Sequence, residues 1–532
     1  MLLVVICVLF PAVAPTQAHT RSAANTIELA APTSADVLRA CKDIARSDHL
    51  IITRSDECAN DVWTTIAKAE ELRQLSICFD HPIGPGPFQG LAQSRNLAEL
   101  TLAGSCPLSG PEFTAAVSIS SVSVLRMRLP YEGRSDQTGK VVRSNVYHVE
   151  ADGWHLSETA FLGQLPRLQR LEISNMWRGL GLLATSLAER PEFENVRVAL
   201  AAHELLTSAT ELNSAIASFS KRRHLQSCLV GGYSWDDWAT IEVLFGAQGP
   251  IELILTRCHP PLYLPEEKND AGAPRLKTIK LARCSPSWGA PLAILLKQAN
   301  ASRLHIDWVG SECDADAATR QVLGACGAGV SYLSVGCHDG ACLFQALQLA
   351  AATVDLAVTC TAAAKPLPFS AFEAMPSLDR LTLVRCRIAG QVEGTLNNLK
   401  KLRYLSLDAC EFVEGQAAPT ADVPTRIETV ELSRNRLSSF EVSCLVALFP
   451  TVRQLLLNEV AVNKDIERTL KAMNQLNSLS LVSCRFEDDV SVRDLAAIKS
   501  LRKLVLNKTP APVEDVEAIA KQNVDLSIKV IE

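Results

Sequence analysis

The 532-residue chain is poor in aromatic side chains, which make up 5% of it against 48% hydrophobic residues overall. A core built from it must therefore be aliphatic. It has no excess of basic charge: the formal net charge is −6, which argues against a nucleic-acid partner. No apolar run is long enough to cross a bilayer. The sequences H-E-x-x-H and G-x-S-x-G do not occur, and the histidines are scattered without a companion acid at motif spacing. These absences set aside several enzyme classes, and no cofactor or metal is expected.

The N-terminus, 1-MLLVVICVLFPAVAPTQAHTR-21, has an apolar run from Leu2 to Ala14 that ends in small residues. Thr16 and Ala18 precede a cut at His19 in the pattern of a secretory signal peptide, although no Lys or Arg opens it. A secreted product is expected, with residues 1–18 removed and 19–46 forming an N-terminal cap. The other reading keeps 1–18 as an uncleaved strand in an intracellular protein.

What the chain has in quantity is a frame. The stretches 378-LDRLTLVRC-386 and 402-LRYLSLDAC-410 both read L-x-x-L-x-L-x-x-C. The same frame starts at Leu276, Ala301, Val330, Thr353, Leu378, Leu402, Ile427, Val452, Leu476 and Leu501. A more degraded set starts at Ser47, Leu72, Leu97, Val122, Leu168, Phe193, Leu225 and Pro250. Together they make 18 repeats of about 25 residues over 47–530, with a closing strand near Leu526 and Ile528. The alternating core of each frame is a short strand with one buried face. Between strands, segments such as 461-AVNKDIERTLKAMNQ-475 place Ile466, Leu470 and Met473 on one helical face. One strand and one helix cannot bury their apolar faces alone, but stacked copies can.

These residues resemble the leucine-rich repeat family, with a period closer to its cysteine-containing type than to its ribonuclease-inhibitor type. The resemblance implies an α/β solenoid: a horseshoe with a curved parallel sheet on the concave face and short helices outside. The array, the export pattern and the lack of a catalytic constellation together lead to the expectation of a secreted, non-catalytic scaffold that binds another protein, of unknown identity, through that face.

Cys258, Cys284, Cys386, Cys410 and Cys484 occupy the ninth position of their frames, as Asn435 does in its own. There the side chain turns inward to satisfy backbone groups in an apolar place, which a small thiol tolerates. Cys337 and Cys360 fall one residue earlier on adjacent rungs, so greater exposure and a disulfide between them are expected.

The third, fifth and seventh frame positions line the concave sheet. Many are small, such as Thr278, Ser334, Thr382, Ser406 and Ser480. Between the frames at Ala301 and Leu402 the face instead carries Arg303, His305, Asp307, Tyr332, Asp355, Arg380, Tyr404 and Asp408, including residue types enriched in interface hot spots. This is the expected protein-binding patch. The 46 residues between Val122 and Leu168 exceed one period and suggest an insert over 131–155, with Tyr131, Tyr147 and Trp154 as loop anchors. The alternatives are an intracellular adaptor with free thiols, or an enzyme-accessory subunit acting through that insert. The stretch 179-GLGLLA-184 invites comparison with a nucleotide cradle, but a strand, turn and helix are expected there from the repeat alone.

Overall fold

The computed structural model describes residues 26–531, apart from 45–48, 107, 129–143, 153–164, 175–179, 189–192, 194–195, 205–206, 222–223, 237, 263–274, 298–300, 310–311, 327–328, 391, 414–425, 436–438, 450, 488–489 and 523–524. The chain divides into two compact units. The first holds residues up to Ala202 together with Leu206–His224, and the second holds His203–Leu205 and Leu225 onward. The signal-peptide expectation over 1–18 lies outside the described residues.

The first unit carries a sheet of parallel strands taken in chain order: Thr26–Ala30, His49–Thr53, Gln74–Phe79, Glu99–Gly104, Val124–Arg128, His148–Asp152, Arg170–Ser174 and Arg197–His203. The first of these lies inside the segment read as a cap, so that segment adds a rung to the sheet. In the second unit the parallel order runs from Leu225–Gly231 and Glu252–Thr256, through Arg303–Trp308, Tyr332–Asp339, Asp355–Lys365, Arg380–Val384 and Tyr404–Asp408, to Lys503–Asn507 and Ser527–Ile531. Each unit is therefore an α/β solenoid of one strand per repeat. The inward residues are the fourth and sixth of each frame, such as Leu381 and Leu383, both with no exposed surface. Burying each such side chain is worth about 1.5–3 kcal/mol, so the aliphatic frame is the core.

Helices return the chain from one strand to the next. Lys464–Ala472 buries Ile466 and Leu470 at 0% exposure, and Met473 closes its end. Asn463 caps it by accepting from the amides of Asp465 and Ile466, which satisfies donors that the first helical turn leaves free.

Two sequence expectations fail here. The insert expected over 131–155 is interrupted, because His148–Asp152 within it is a regular rung. It pairs with Val124–Arg128 on one side and Arg170–Ser174 on the other. The 46-residue gap is two repeats, the missed one starting at Val146. Tyr147 is accordingly no loop anchor: its amide donates to the Ser123 carbonyl at 3.0 Å, and its own carbonyl accepts from Gln169 and Arg170. Tyr131 and Trp154 lie outside the described residues. The frame set at Phe193 is also two residues early, since Val198 and Leu200 pair with Leu171 and Ile173. Val196, Val198 and Leu200 alternate without a break, so two registers satisfy the pattern equally.

The turn that ends a strand has a fixed geometry. Every non-glycine residue with positive φ among the described residues is the eighth of its frame, including Arg257, Arg283, Arg385, Ala409, Arg434, Glu459, Ser483 and Lys508. The left-handed residue swings the ninth side chain inward. There the Cys258, Cys284, Cys410 and Cys484 thiols donate to the sixth-position carbonyls of the preceding rungs, Val230, Leu255, Leu383 and Leu457, at 3.3–3.4 Å. Asn435 does more. Its Nδ2 donates to the Leu407 carbonyl at 2.9 Å while its Oδ1 accepts from the Cys410 amide at 2.7 Å.

Cys337 and Cys360 depart from expectation for a related reason. Their strands, Tyr332–Asp339 and Asp355–Lys365, run past the eighth residue without the left-handed turn. Period-two alternation then sends the eighth side chain inward with the fourth and sixth. The two thiols are 0% and 3% exposed, and both are free. They are neither exposed nor joined, although their backbones are in register.

Candidate functional site

The patch lies wholly in the second unit, on the sheet face opposite the helices. Parallel register aligns third positions with third positions. Arg303, Tyr332, Asp355, Arg380 and Tyr404 therefore form one continuous row across five rungs. The Arg303 guanidinium lies over the Tyr332 ring, 4.7 Å from its centroid, and that of Arg380 lies over Tyr404 at 3.9 Å. Arg380 also approaches the Asp355 carboxylate at 3.6 Å. Stacked guanidinium groups of this kind gain about 0.5–1 kcal/mol at exposed positions. They also fix two long side chains that would otherwise lose entropy on binding.

The electrostatics follow from partial burial. Burial raises the Asp355 carboxyl above its ordinary value, with Arg380 and Arg303 pulling the other way. Burial, helped by Glu431, lifts the Tyr404 phenol to about 12. That phenol donates to the Glu431 carboxylate at 2.6 Å. Glu431 is a fifth-position residue of the next rung, which the sequence reading did not single out. The signal was present, because its frame is among the cleanest in the chain.

The remaining three expected residues are not part of the row. His305 is one row over and shares a hydrogen bond with Ser334 at 2.8 Å. Burial, and then Lys280, lower its pKa, while Asp307 opposes them. Asp307 is in the third row, opposite Gly336. Asp408 is engaged by Arg434, whose Nε lies 2.9 Å from the carboxylate. It belongs to the edge of the face.

A second cluster, in the first unit, was missed. Arg126 spans Glu99 and Glu150, its Nε 2.9 Å from Glu150. His148 Nε2 lies 3.1 Å from Glu172, which also receives Arg170 at 2.6 Å. The hydrogen bond from His148 holds Glu172 below the usual carboxylate range against the opposing effect of burial, and Arg170 adds to it. His148, Glu150 and Glu172 place one ligand atom each within 4.8 Å of one another, a donor set compatible with a metal ion. Two arginines already supply positive charge to both carboxylates, so the arrangement reads as an ion-pair network.

The glycine stretch near 180 is also accounted for. The Gly181 amide donates to the Glu211 carboxylate at 2.7 Å, and a Cβ on Gly181 would meet Ser214 at 2.7 Å. A carboxylate fills the place where a phosphate would have to sit.

A parallel sheet of one short strand per repeat, inward leucines at fixed register and a Cys/Asn ladder at the turn together make a leucine-rich repeat fold. No protein-family model matches the chain, and no curated protein matches it. Among solved structures it is similar to the TLR13–ssRNA13 complex, at 13% identity and a TM-score of 0.47, covering 92% of this chain and 82% of that one. It is similar to the mouse RP105/MD-1 complex at 13% identity and 0.48, covering 91% and 79%. An internalin (inlF) from Listeria monocytogenes gives 12% and 0.36, covering 68% and 86%. Among the described residues no helix is long and apolar enough to cross a membrane.

Proposed function

We propose that the chain is an exported, non-catalytic binding protein that holds a protein partner on the sheet face of its second unit. The observation that carries this reading is the row Arg303–Tyr332–Asp355–Arg380–Tyr404, in which two arginines are stacked on two tyrosines across rigid strands. Arg and Tyr dominate interface energetics because they offer large contact area with few rotors to freeze. Here the freezing is largely done before a partner arrives. Export rests on the pattern of residues 1–18.

The test is affinity capture with purified residues 19–532 beside a variant carrying Arg303→Ala, Tyr332→Ala, Arg380→Ala and Tyr404→Ala. A partner identified on the parent should bind the variant about 100-fold more weakly, as truncating a hot-spot cluster does. Unchanged affinity would move the site elsewhere. Expression of the full chain in a secretory host, followed by N-terminal sequencing, should give a product starting at His19. Retention inside the cell would sink the exported half.

A second reading keeps the scaffold intracellular. What favours it is that the ladder cysteines Cys258, Cys284, Cys410 and Cys484 are buried free thiols that donate to carbonyls.

A further inference from the structure

We infer that Cys360 and Cys386 are the site of an inter-rung disulfide. The Cys360 sulfur lies 2.7 Å from the Cys386 sulfur, with the Cys360 thiol donating. Closing that gap to a bond of about 2.05 Å takes a shift of well under an ångström. The contact follows from the turn geometry. Cys386 is a ninth-position residue swung inward after the left-handed Arg385. Cys360 is an eighth-position residue carried inward because its strand does not turn. Two different routes bring two side chains to one spot: Cys386 keeps the ladder's carbonyl contacts, to Val384 at 3.4 Å and Val358 at 3.7 Å, and Cys360 approaches it from the rung before. Cys258 and Cys284 show the regular case, on adjacent rungs and both donating to carbonyls.

The chemistry needs an oxidant, and a small-molecule or protein disulfide supplies it. The Cys360 thiolate attacks one sulfur of that disulfide, forming a mixed disulfide and releasing the first thiolate. The Cys386 sulfur then attacks Cys360 and releases the second. The two protons lost by the cysteines end on the two released thiols, and the two electrons reduce the reagent's S–S bond. Burial at 3% and 0% exposure means that the bond closes as the rungs assemble, and is shielded from reductants afterwards.

The experiment produces the full chain behind a host leader in an oxidising compartment, and separately in a reducing cytosol. It therefore does not depend on residues 1–18. Free thiols are blocked with N-ethylmaleimide under denaturing conditions, and any disulfide is then reduced and labelled with the heavy reagent. Chymotryptic peptides are read by mass spectrometry. In the oxidised product Cys360 and Cys386 should be heavy, and Cys337, Cys410, Cys258 and Cys284 light. The pair should stay heavy after dithiothreitol treatment of the native protein and become light when denaturant is added. Cys410→Ala should leave the pattern unchanged, whereas Cys386→Ala should return Cys360 to the light pool. A light Cys360 and Cys386 in the oxidised product, or a heavy Cys337 paired with Cys360, would overturn the proposal. Circular dichroism of both variants checks that each retains its fold.

Discussion

The sheet face of the first unit and that of the second use the same frame positions for opposite ends. In the first, charges are spent on one another. Arg126 joins Glu99 and Glu150, and Arg170 with His148 joins Glu172. In the second, the arginines lie over tyrosine rings and only one of the two reaches a carboxylate, at 3.6 Å. The difference lies in what stands on the neighbouring rung. Glu150 and Glu172 are directly opposite each other, and like charges across a sheet are destabilising. The surrounding cations are therefore structural. Tyr332 and Tyr404 impose no such demand, so Arg303 and Arg380 stack on rings rather than neutralise a pair of carboxylates.

The contrast can be broken by single substitutions. Arg126→Ala should cost about 1–3 kcal/mol, because it leaves two part-buried carboxylates, 26% and 31% exposed, without their shared cation. Urea unfolding followed by hydrogen exchange at strand Val124–Arg128 reads this. A change within the error of the parent would mean that the first unit's ion pairs are as idle as ordinary surface pairs. Tyr404→Phe should be milder, about 1 kcal/mol, since it removes one charge-assisted hydrogen bond to Glu431 and keeps the ring under Arg380. A loss as large as that of Arg126→Ala would erase the distinction between the faces.

The smallest effect concerns pH. Burial and Lys280 lower the His305 pKa in the folded chain. As pH falls through the ordinary histidine value, the unfolded chain takes up a proton there that the folded chain still refuses. Stability contributed at higher pH is therefore lost on acidification. His305→Gln should flatten the stability slope below about pH 6.5, measured by urea midpoints at a series of pH values. An unchanged slope would place the acid response at another group.

How much of this could be read from sequence varied with how many residues spoke for one register. At 378–386 and 402–410, leucine, alternation and the terminal cysteine all agree, and rung and face positions followed. At Val146 the sixth position is Ala151, the flanks are polar and no ninth-position cysteine marks the turn, so a whole repeat passed for an insert. At Phe193 an unbroken alternation allowed two registers. The row of arginines and tyrosines was legible because parallel register aligns equal frame positions. Its members' partners were not, since stacking depends on rotamers. The Cys360–Cys386 contact was hidden because frame position alone does not say whether a strand turns after its seventh residue.

The left-handed eighth residue has one more consequence. A residue with a side chain at φ near +50° costs roughly 1–2 kcal/mol relative to a relaxed backbone, and among the described residues it occurs at ten non-glycine positions, five of them arginine or alanine in the second unit. Most such sites are solvent-facing and touch neither the core nor the two charged faces. They form a set of spaced dials. Asparagine, which tolerates this conformation, could be introduced at one rung after another to raise the melting temperature in small steps, while the row of arginines and tyrosines stays as it is.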